Sequence, residues 1–417
     1  MHSVKSTHNG HLGRAVALWA LTRAALLLFV FQVARFPGQV ILHDVSDVYE
    51  GWYPVLRAGA FPAHDVTWQY PPGAAAVMVA PGAVPFLGYP QAFFCLALLA
   101  DAVVTGALLG DARRSGRTAG VWAWVVGVAL GGPIVYARYD VMVTAVGVLA
   151  LLLLRRRPAV AGVLAGVGAL LKVWPVLLLI GVPRGRPARR AWLSAGATVA
   201  AGAALFAATM PGAFSFLASQ RDRGTEVESL GAMVFHVGRH FGWRGRSEMH
   251  YGSVEFLGPY VRLVSAAALG LSVLAFCWLV WWRLRARTYR PSTPYDAAFA
   301  ALLLFTTTSR VISPQYMVWL VGAGALCVTL GGTVQRLPVL LTLAATFCTT
   351  LEFPVFFSQV TAGDVWGVLL LGLRNGLLVA ASLIACRRLW TATVPARGAR
   401  TRDRTPAADA APVLTPP

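Results

Sequence analysis

Two aspartates, Asp44 and Asp47, lie close together in the aromatic-rich stretch LHDVSDVYEGWYPV. They directly follow the first long apolar segment, so either carboxylate could reach a substrate held at a membrane surface. A carboxylate in that place can act as a general base that removes the proton of a hydroxyl group. The alternative is that each aspartate is a solvent-exposed residue at a helix end, with no role in catalysis. The pattern favours a catalytic carboxylate and leaves the choice between Asp44 and Asp47 open.

Three cations in or beside apolar segments are candidates for binding an anion. Lys172 lies in the middle of AGVLAGVGALLKVWPVLLL, where the end of a half-helix would present its charge to an anionic ligand. Its alternative role is snorkelling of the ammonium group toward the interface. Arg310 precedes a proline break in TTTSRVISPQYMVW, and Arg374 lies inside the last apolar segment. An arginine within a membrane helix needs a partner, which would be an anionic headgroup or Glu352.

Other polar residues lie in turns and in one long polar segment. Arg138 and Asp140 belong to the turn YARYD, where they either contact substrate or form a structural ion pair. The remaining candidates for substrate contacts are Gln220, Arg221, Glu228, His236 and Gln315. His236 and His240 have the spacing of metal ligands on one helix face, but no third ligand is placed to complete a site. The sequence therefore predicts no metal and no cofactor.

One or two carboxylates and several cations at membrane depth suit a particular reaction. Cations stabilise a phosphate leaving group, and a single carboxylate then suffices to deprotonate an acceptor hydroxyl. No separate acid is needed, because the phosphate ester leaves as an anion. Glycosidases, by contrast, need paired carboxylates. The pattern indicates sugar transfer from a lipid-linked phosphate donor.

The composition places these residues in a membrane protein. Of 417 residues, 57% are hydrophobic and 13% are charged, whereas a soluble chain carries roughly 25% charged residues. Apolar stretches near the length of a membrane span recur along the chain. They are predicted at 15–33, 91–111, 119–136, 140–154, 158–182, 191–209, 260–283, 295–308, 316–333, 338–351 and 366–386. The expected fold class is an all-α polytopic membrane protein with about eleven or twelve transmembrane or re-entrant segments.

The net charge of +19 is a signal of topology. Most arginines form compact clusters between the apolar segments, and the positive-inside rule places such clusters in the cytoplasm. This placement argues against a nucleic-acid partner. The segment 158–182 has an arginine cluster at each end, so a single crossing would leave one cluster outside. Lys172 and Pro175 instead predict two half-helices that enter and return.

With that hairpin, the sequence predicts that both termini are cytoplasmic and that the segments 34–72 and 210–259 are extracytoplasmic. Residues 73–90 are apolar but contain three prolines, which favours an interfacial or re-entrant helix. The first helix is predicted to be uncleaved. The map predicts one membrane domain over 1–391 and a disordered cytoplasmic tail over 392–417.

The chain resembles the polyprenyl-phosphate-dependent glycosyltransferases of the GT-C fold, specifically glycosyltransferase family 87, which includes actinobacterial membrane mannosyltransferases and relatives that use arabinofuranose. The resemblance runs from about residue 40 to 376. It rests on strings in the same order over one hydropathy profile: DVSDVYEGWYPVLRAGAFP, WQYPPG, RYD, the stretch around Lys172, QRDRGTEVESL, SRVISPQYMVWL and RN at 374–375.

The resemblance implies an inverting single displacement from a polyprenyl-phosphate-sugar donor to a lipid or glycan acceptor on the extracytoplasmic side of the cell membrane. The family's base is an Asp a few residues before a Tyr, which here is Tyr49; both Asp44 and Asp47 precede it, and Asp44 is favoured. The family pattern has a Lys where this chain has Arg310, which keeps the charge and changes the hydrogen-bond geometry. Lys172, Arg310 and Arg374 would bind the donor phosphate.

Two other classes compete with this prediction. A lipid-linked sugar transporter or flippase also uses broken helices and buried charges, but the sequence has no inverted repeat, and its polar groups favour one face. A non-catalytic membrane scaffold would not need the acidic, basic and aromatic positions together. The sugar, which is mannose in the favoured prediction or arabinofuranose, and the acceptor are left open.

Overall fold

The computed structural model describes the backbone of residues 2–395 and the side chains of residues 10–395. The structure is 71% helix and 3% strand. The first half of the chain forms α1 His2–Val30, α2 Glu50–Arg57, α3 Ala74–Val79, α4 Tyr89–Ser115, α5 Ala119–Gly131, α6 Asp140–Leu154, α7 Pro158–Leu171 and α8 Arg186–Thr209. The second half forms α9 Phe216–Asp222, α10 Met233–Arg239, α11 Val261–Arg285, α12 Thr293–Thr307, α13 Met317–Thr329, α14 Arg336–Thr350, α15 Phe357–Ala362 and α16 Val365–Thr393.

Tighter or wider helical turns join several of these helices. The 3₁₀ turns are Ala80–Ala83, Pro133–Val135, Trp174–Gly181 and Pro314–Tyr316, and the π-helical turns are Asp44–Tyr49 and Leu351–Val355. The strands β1 Thr225–Glu226, β2 Arg246–His250 and β3 Ser253–Leu257 form one antiparallel sheet in the order β1-β3-β2. The β2–β3 hairpin turns through Tyr251 and Gly252, both of which have positive φ, as a two-residue type I′ turn requires.

Within residues 2–395, six helices are long and apolar enough to cross a membrane. They are Gly10–Val30, Tyr89–Ser115, Arg186–Thr209, Val261–Arg285, Arg336–Val355 and Val365–Thr393. Each predicted apolar segment coincides with a helix, and the interfacial element predicted at 73–90 is the short α3 with its 3₁₀ extension. The mostly helical membrane fold is therefore confirmed. The predicted tail 392–417 begins at the end of α16, and its residues 396–417 lie outside the described residues.

The segment around Lys172 is a broken helix that returns. Lys172 has an extended backbone between α7 and the turn Trp174–Gly181. Along α7, Gly162 and Gly166 face α8 at Ala191 and Ala195 in turn, so the two helices run parallel. Since α7 and α8 run parallel, the chain must return from the end of α7 to the level of its start before α8 begins. The 3₁₀ segment between them makes this return, and its eight residues cover about 16 Å at 2.0 Å per residue. The predicted hairpin is confirmed.

The loops gather on one side of the helices. We call the side that carries residues 31–73, 210–260 and 351–364 the loop face. Gln220 donates to the carbonyl of Gln69, and Gln39 donates its backbone N–H to the carbonyl of Pro354. The opposite side, the arginine face, carries the arginine clusters; for example, Arg184 donates to the carbonyl of Leu284.

The short helices end below the loop face. α5, α6, α7, α12 and α13 have 13 to 15 residues, about 20 to 23 Å at 1.5 Å per residue. Ser272 donates to the carbonyl of Thr308 at the end of α12, although Ser272 lies about 16 Å along α11 from its loop-face end. Tyr136, in the turn after α5, donates to Asp101, which lies about 18 Å along α4 from its loop-face end. The turns 132–139, 172–173 and 308–316 therefore form the floor of a recess walled by the longer helices.

One buried ion pair holds α1 against α4 inside the membrane region. The Nε of Arg23 lies 2.7 Å from Oδ2 of Asp101. The carboxylate also accepts hydrogen bonds from Trp19, Trp124 and Tyr136. Because each oxygen has several donors, the desolvation cost of the buried charge is offset by hydrogen bonds. Arg23 therefore has a structural role, which its isolated position in the sequence does not reveal.

Candidate functional site

Lys172 and Asp140 form an ion pair at the floor of the recess. Nζ of Lys172 lies 2.6 Å from Oδ1 of Asp140, and both side chains are nearly buried. Asp140 is the first residue of α6, and Lys172 is the break between α7 and its return segment. Trp319 of α13 donates its indole N–H to the same oxygen at 2.7 Å. Three separate elements thus fix the position of one ammonium group.

Aromatic rings surround this ammonium group. Nζ of Lys172 lies 4.8 Å from the ring centre of Trp319, 4.9 Å from Tyr139, 5.2 Å from Tyr316 and 5.8 Å from Tyr70. Aromatic faces attract a cation within about 6 Å, and more strongly where water is excluded. Lys172 does not snorkel to an interface. Its ammonium group is held at the floor of the recess.

Asp44 and Arg138 form a second ion pair beside the first. Oδ2 of Asp44 lies 2.8 Å from Nε of Arg138, whose Nη1 donates to the carbonyls of Ile41 and Ala137. The alternative that Arg138 and Asp140 pair with each other is therefore wrong. The two charges of the turn have separate partners. Arg138 pairs with Asp44 of the first loop, and Asp140 pairs with Lys172.

The structure separates the two candidate aspartates. The side chain of Asp44 is 25% exposed and contacts the recess through Arg138. The side chain of Asp47 is 64% exposed and lies 2.9 Å from His43, one helical turn away on the same surface. Both occupy the π-helical turn Asp44–Tyr49, which directs their side chains differently.

Tyr49 lies between the first loop and the floor. It is buried, and its hydroxyl has no hydrogen-bond partner among the described residues. Its ring contacts Tyr70 of the WQYPPG string and Tyr139 of the RYD turn, with centroids 6.4 and 6.2 Å apart. Tyr49 thus joins the Asp44 pair to the aromatic group around Lys172.

Arg310 lies in a turn that Glu226 holds in place. Glu226 of β1 accepts hydrogen bonds from the backbone N–H of Ile312 at 2.7 Å and the hydroxyl of Ser313 at 3.0 Å. Nη2 of Arg310 donates to the carbonyl of Gln220. No carboxylate lies within 4.0 Å of the Arg310 guanidinium in the part of the chain that the structure describes. The half-buried guanidinium is therefore available to an anion.

Arg223 is a recess residue that the sequence analysis did not single out. Its Nη2 donates to Ser253 at 2.7 Å, and its Nε lies 3.4 Å from Glu255. The guanidinium lies close enough for its charge to act on both Lys172 and Arg310. The string QRDRG indicates that an arginine in this segment could contact substrate. Its spacing does not distinguish Arg223 from the exposed Arg221, which pairs with Asp222.

Arg374 lies in a closed cluster between α16 and the second loop. The fully buried Nη2 lies 3.4 Å from Glu352 and 3.5 Å from Glu228. Asn375 donates to the carbonyl of Glu228 at 3.4 Å. Of the two partners predicted for Arg374, the structure shows the carboxylate of Glu352. We therefore propose a structural role for Arg374 and Glu228 in this cluster, although Nε and Nη1 of Arg374 have no hydrogen-bond partner among the described residues.

Replacing Arg374 by Met should destabilise the protein strongly. Removal of one partner leaves buried carboxylates without compensation, which costs about 3–5 kcal/mol. Thermal unfolding in detergent should show the loss, and adding Glu352→Gln should recover part of it. An unchanged unfolding temperature combined with a weakened affinity for donor would instead return Arg374 to the phosphate site.

His236 and Gln315, predicted to contact substrate, lie in different elements: His236 in α10 and Gln315 in the turn Pro314–Tyr316. His236 is buried, with Nε2 2.8 Å from the carbonyl of Val227. Burial lowers the pKa of His236 to about 4, against the smaller opposing effect of that carbonyl, so the imidazole is neutral at pH 7. Gln315 is half-buried in the turn that begins α13, within the recess.

The comparison with known families identifies the family of the chain. The model of glycosyltransferase family 87 matches residues 68–314, which is more than half of the chain. The chain belongs to glycosyltransferase family 87. The matched range includes Arg138, Asp140, Lys172, Arg223 and Arg310, and it excludes the first-loop aspartates. No curated protein and no solved structure matches the chain.

A membrane glycosyltransferase needs a sugar donor, an acceptor and surrounding lipid, and the recess provides a polar site at membrane depth. A separate open cavity of about 400 Å³ lies near the first loop, between α2 and α3, and is lined by Tyr53 and Arg57. It does not include the charged residues of the floor.

Proposed function

We propose that this family 87 glycosyltransferase moves a sugar from a polyprenyl-phosphate donor to a hydroxyl of a lipid or glycan acceptor. One observation carries the proposal: a partly exposed carboxylate, Asp44, shares a recess at membrane depth with the cations Lys172 and Arg310. Ionisable groups at this depth are costly and are usually retained for function. The sugar is mannose in the favoured proposal, and arabinofuranose is the alternative that the assay below distinguishes.

Asp44 is the proposed general base. Its carboxylate faces the recess and is held by Arg138, whereas Asp47 points to solvent. Asp44 takes the proton of the acceptor hydroxyl as that oxygen bonds to the anomeric carbon. The bond from this carbon to the phosphate oxygen breaks, and its electron pair leaves with the phosphate. Attack opposite the leaving group inverts the anomeric configuration, and the proton remains on Asp44.

Lys172 and Arg310 are the proposed ligands of the donor phosphate. Lys172 already has the carboxylate of Asp140 as partner, so it offers a positioned but partly neutralised charge. Arg310 offers a guanidinium without a carboxylate partner among the described residues, and its planar N–H groups suit a phosphate. Arg223 adds a third cation, whose charge is partly neutralised by Glu255 and acts on both groups. Developing negative charge on the leaving phosphate would be stabilised by these groups, which are fixed before the reaction.

The orientation in the membrane follows from charge. The arginine clusters lie opposite the loop face, and positive residues favour the cytoplasm. We therefore propose that the recess opens to the extracytoplasmic side of the cell membrane. A lipid-linked donor would enter from the bilayer with its phosphate at the floor, and the acceptor would approach through the loops.

The direct test is a transfer assay with purified protein in proteoliposomes. Radiolabelled polyprenyl-phosphate-mannose and polyprenyl-phosphate-arabinofuranose are supplied separately, with a lipid extract of cell envelopes as acceptor. The proposal expects labelled acceptor with one donor and not with the other. Movement of intact donor across the bilayer, without modification of any acceptor, would support a flippase and refute the proposal.

Replacing Arg310 by Gln should raise the KM for the donor more than it lowers kcat. The loss of a charge-assisted hydrogen bond costs about 1.5–3 kcal/mol, which is roughly a tenfold to hundredfold change. Arg310→Lys should retain part of the affinity, because it keeps the charge but loses the planar geometry. Steady-state kinetics with varied donor measure both effects. Equal KM values for Gln, Lys and the parent would remove Arg310 from the donor site.

A further inference from the structure

Helix α10 lies beside the loop-face end of α16. A Cβ atom placed on Gly372 would lie 3.4 Å from the terminal methyl carbon of Met233, the first residue of α10. At its other end, Arg239 donates to the carbonyl of Thr361 at 2.8 Å, just before α16 begins. Gly372 lies about 10 Å along α16 from its start, and seven residues of α10 span about the same distance. The two helices therefore run antiparallel at the same level.

α10 lies level with the first two turns of a candidate membrane span. α16 is one of the six candidate spans, and its Leu369 and Leu373 are exposed on the outside of the molecule. In a membrane span, such residues contact lipid. Because Met233 is level with Gly372, α10 lies beside these leucines.

The outward face of α10 is apolar. Val234 is 59% exposed, Val237 is 48% exposed and Phe241, in the turn that follows, is 85% exposed. The spacing of Val234, Val237 and Phe241 places them along one face of a helix. Phe235 and His236 form the inward face, which packs against Phe256. In water this arrangement would leave an apolar stripe without a partner.

Two arginines lie near the C-terminal end of α10. Arg239 lies over the ring of Phe256, and Arg244 is exposed beyond the turn. Basic residues beside an apolar helix face are typical of helices that lie in the interface and contact lipid headgroups. The apolar stripe continues the surface of Leu369 and Leu373, so the same environment covers both.

We infer that α10 and the turn through Phe241 insert into the leaflet on the loop face, with lipid acyl chains covering Val234, Val237 and Phe241. This inference does not depend on the donor or on the chemistry. Since His236 on the inward face contacts Val227, and Val227 directly follows Glu226, the inserted helix would anchor the part of the second loop that holds the Arg310 turn.

The test uses single cysteines that carry a small fluorophore in proteoliposomes. Val237→Cys and Phe241→Cys probe the stripe, and Met249→Cys is the matched control, because Met249 is 67% exposed on β2 of the same loop. Cys95→Ser and Cys277→Ser remove exposed native thiols from the background. Quenchers are a nitroxide on the acyl chain near the headgroup and aqueous iodide.

At Val237→Cys and Phe241→Cys, we expect several-fold stronger quenching by the acyl-chain nitroxide than by iodide, and the reverse at Met249→Cys. Equal iodide quenching at all three sites would overturn the inference. Protection from both quenchers, together with crosslinking between two Val237→Cys chains, would also overturn it and identify a second copy as the occupant. Circular dichroism of each variant confirms that the fold is intact.

Discussion

Asp44→Asn should lower kcat for sugar transfer by about 10²–10⁴-fold, the usual contribution of a positioned general base. Asparagine keeps the shape of the side chain and an oxygen that Arg138 can contact, but it cannot take a proton. The KM for the donor should change little, because the proposed ligands of the donor phosphate are Lys172 and Arg310. Transfer of radiolabelled sugar at saturating donor measures the loss, and thermal unfolding in detergent shows whether the fold is retained.

Asp47→Asn is the matched control for this prediction. It makes the same chemical change three residues away, at a side chain that is 64% exposed and pairs with His43. Exposed ion pairs contribute little, about 0–1 kcal/mol, so the rate and the unfolding temperature should stay close to those of the parent. A dead Asp47→Asn protein beside an active Asp44→Asn protein would move the base to Asp47.

The local features of the fold could be predicted from the sequence. A charged residue beside a proline inside one apolar segment predicted the break at Lys172, since proline removes a backbone donor and a lysine needs polar surroundings. The helical segments followed from apolar length, because every backbone polar group in lipid must be bonded within its own helix. These predictions depend only on residues that are close together in the sequence, so a single sequence is enough to make them.

The pairing of charges could not be predicted, because partners lie far apart in the chain. Arg138 has Asp140 two positions away, yet it pairs with Asp44. Arg23 pairs with Asp101, which is 78 positions away in α4, and nothing near either residue in the sequence indicates this contact. Which acid meets which base depends on helix packing and on the level at which each helix ends. The sequence therefore identified most charged positions but missed most of their partners; the pair of Arg374 with Glu352 is the exception.

The depth of the floor was a second feature that the sequence did not reveal. The sequence shows that some apolar segments are short, but it does not show at which level each helix ends. In the structure, the helices of 13 to 15 residues end below the loop-face ends of the longer α4, α11 and α16. The consequence for function is large, because a charge at the floor is shielded from water by helices and loops. Arg374, which the sequence grouped with Lys172, lies in a separate cluster with Glu228 and Glu352.

Lys172→Met is the second substitution with a large expected effect. It leaves the buried carboxylate of Asp140 with only the indole of Trp319, and breaking a buried pair in this way costs about 3–5 kcal/mol. Transfer activity should fall at the same time, because one cation of the donor site is lost. The single variant cannot separate these two causes, since a destabilised protein is also a less active one.

The double variant Lys172→Met with Asp140→Asn separates them. Both charges are then absent, and the amide oxygen of the substituted side chain can still accept from Trp319. Most of the lost stability should return, since a neutral pair of similar volume is often as stable as a buried ion pair. If Lys172 binds the donor phosphate, the double variant unfolds near the temperature of the parent and still fails to transfer sugar. Recovery of transfer together with stability would mean that Lys172 serves only to neutralise Asp140, and the phosphate would then be bound by Arg310 and Arg223.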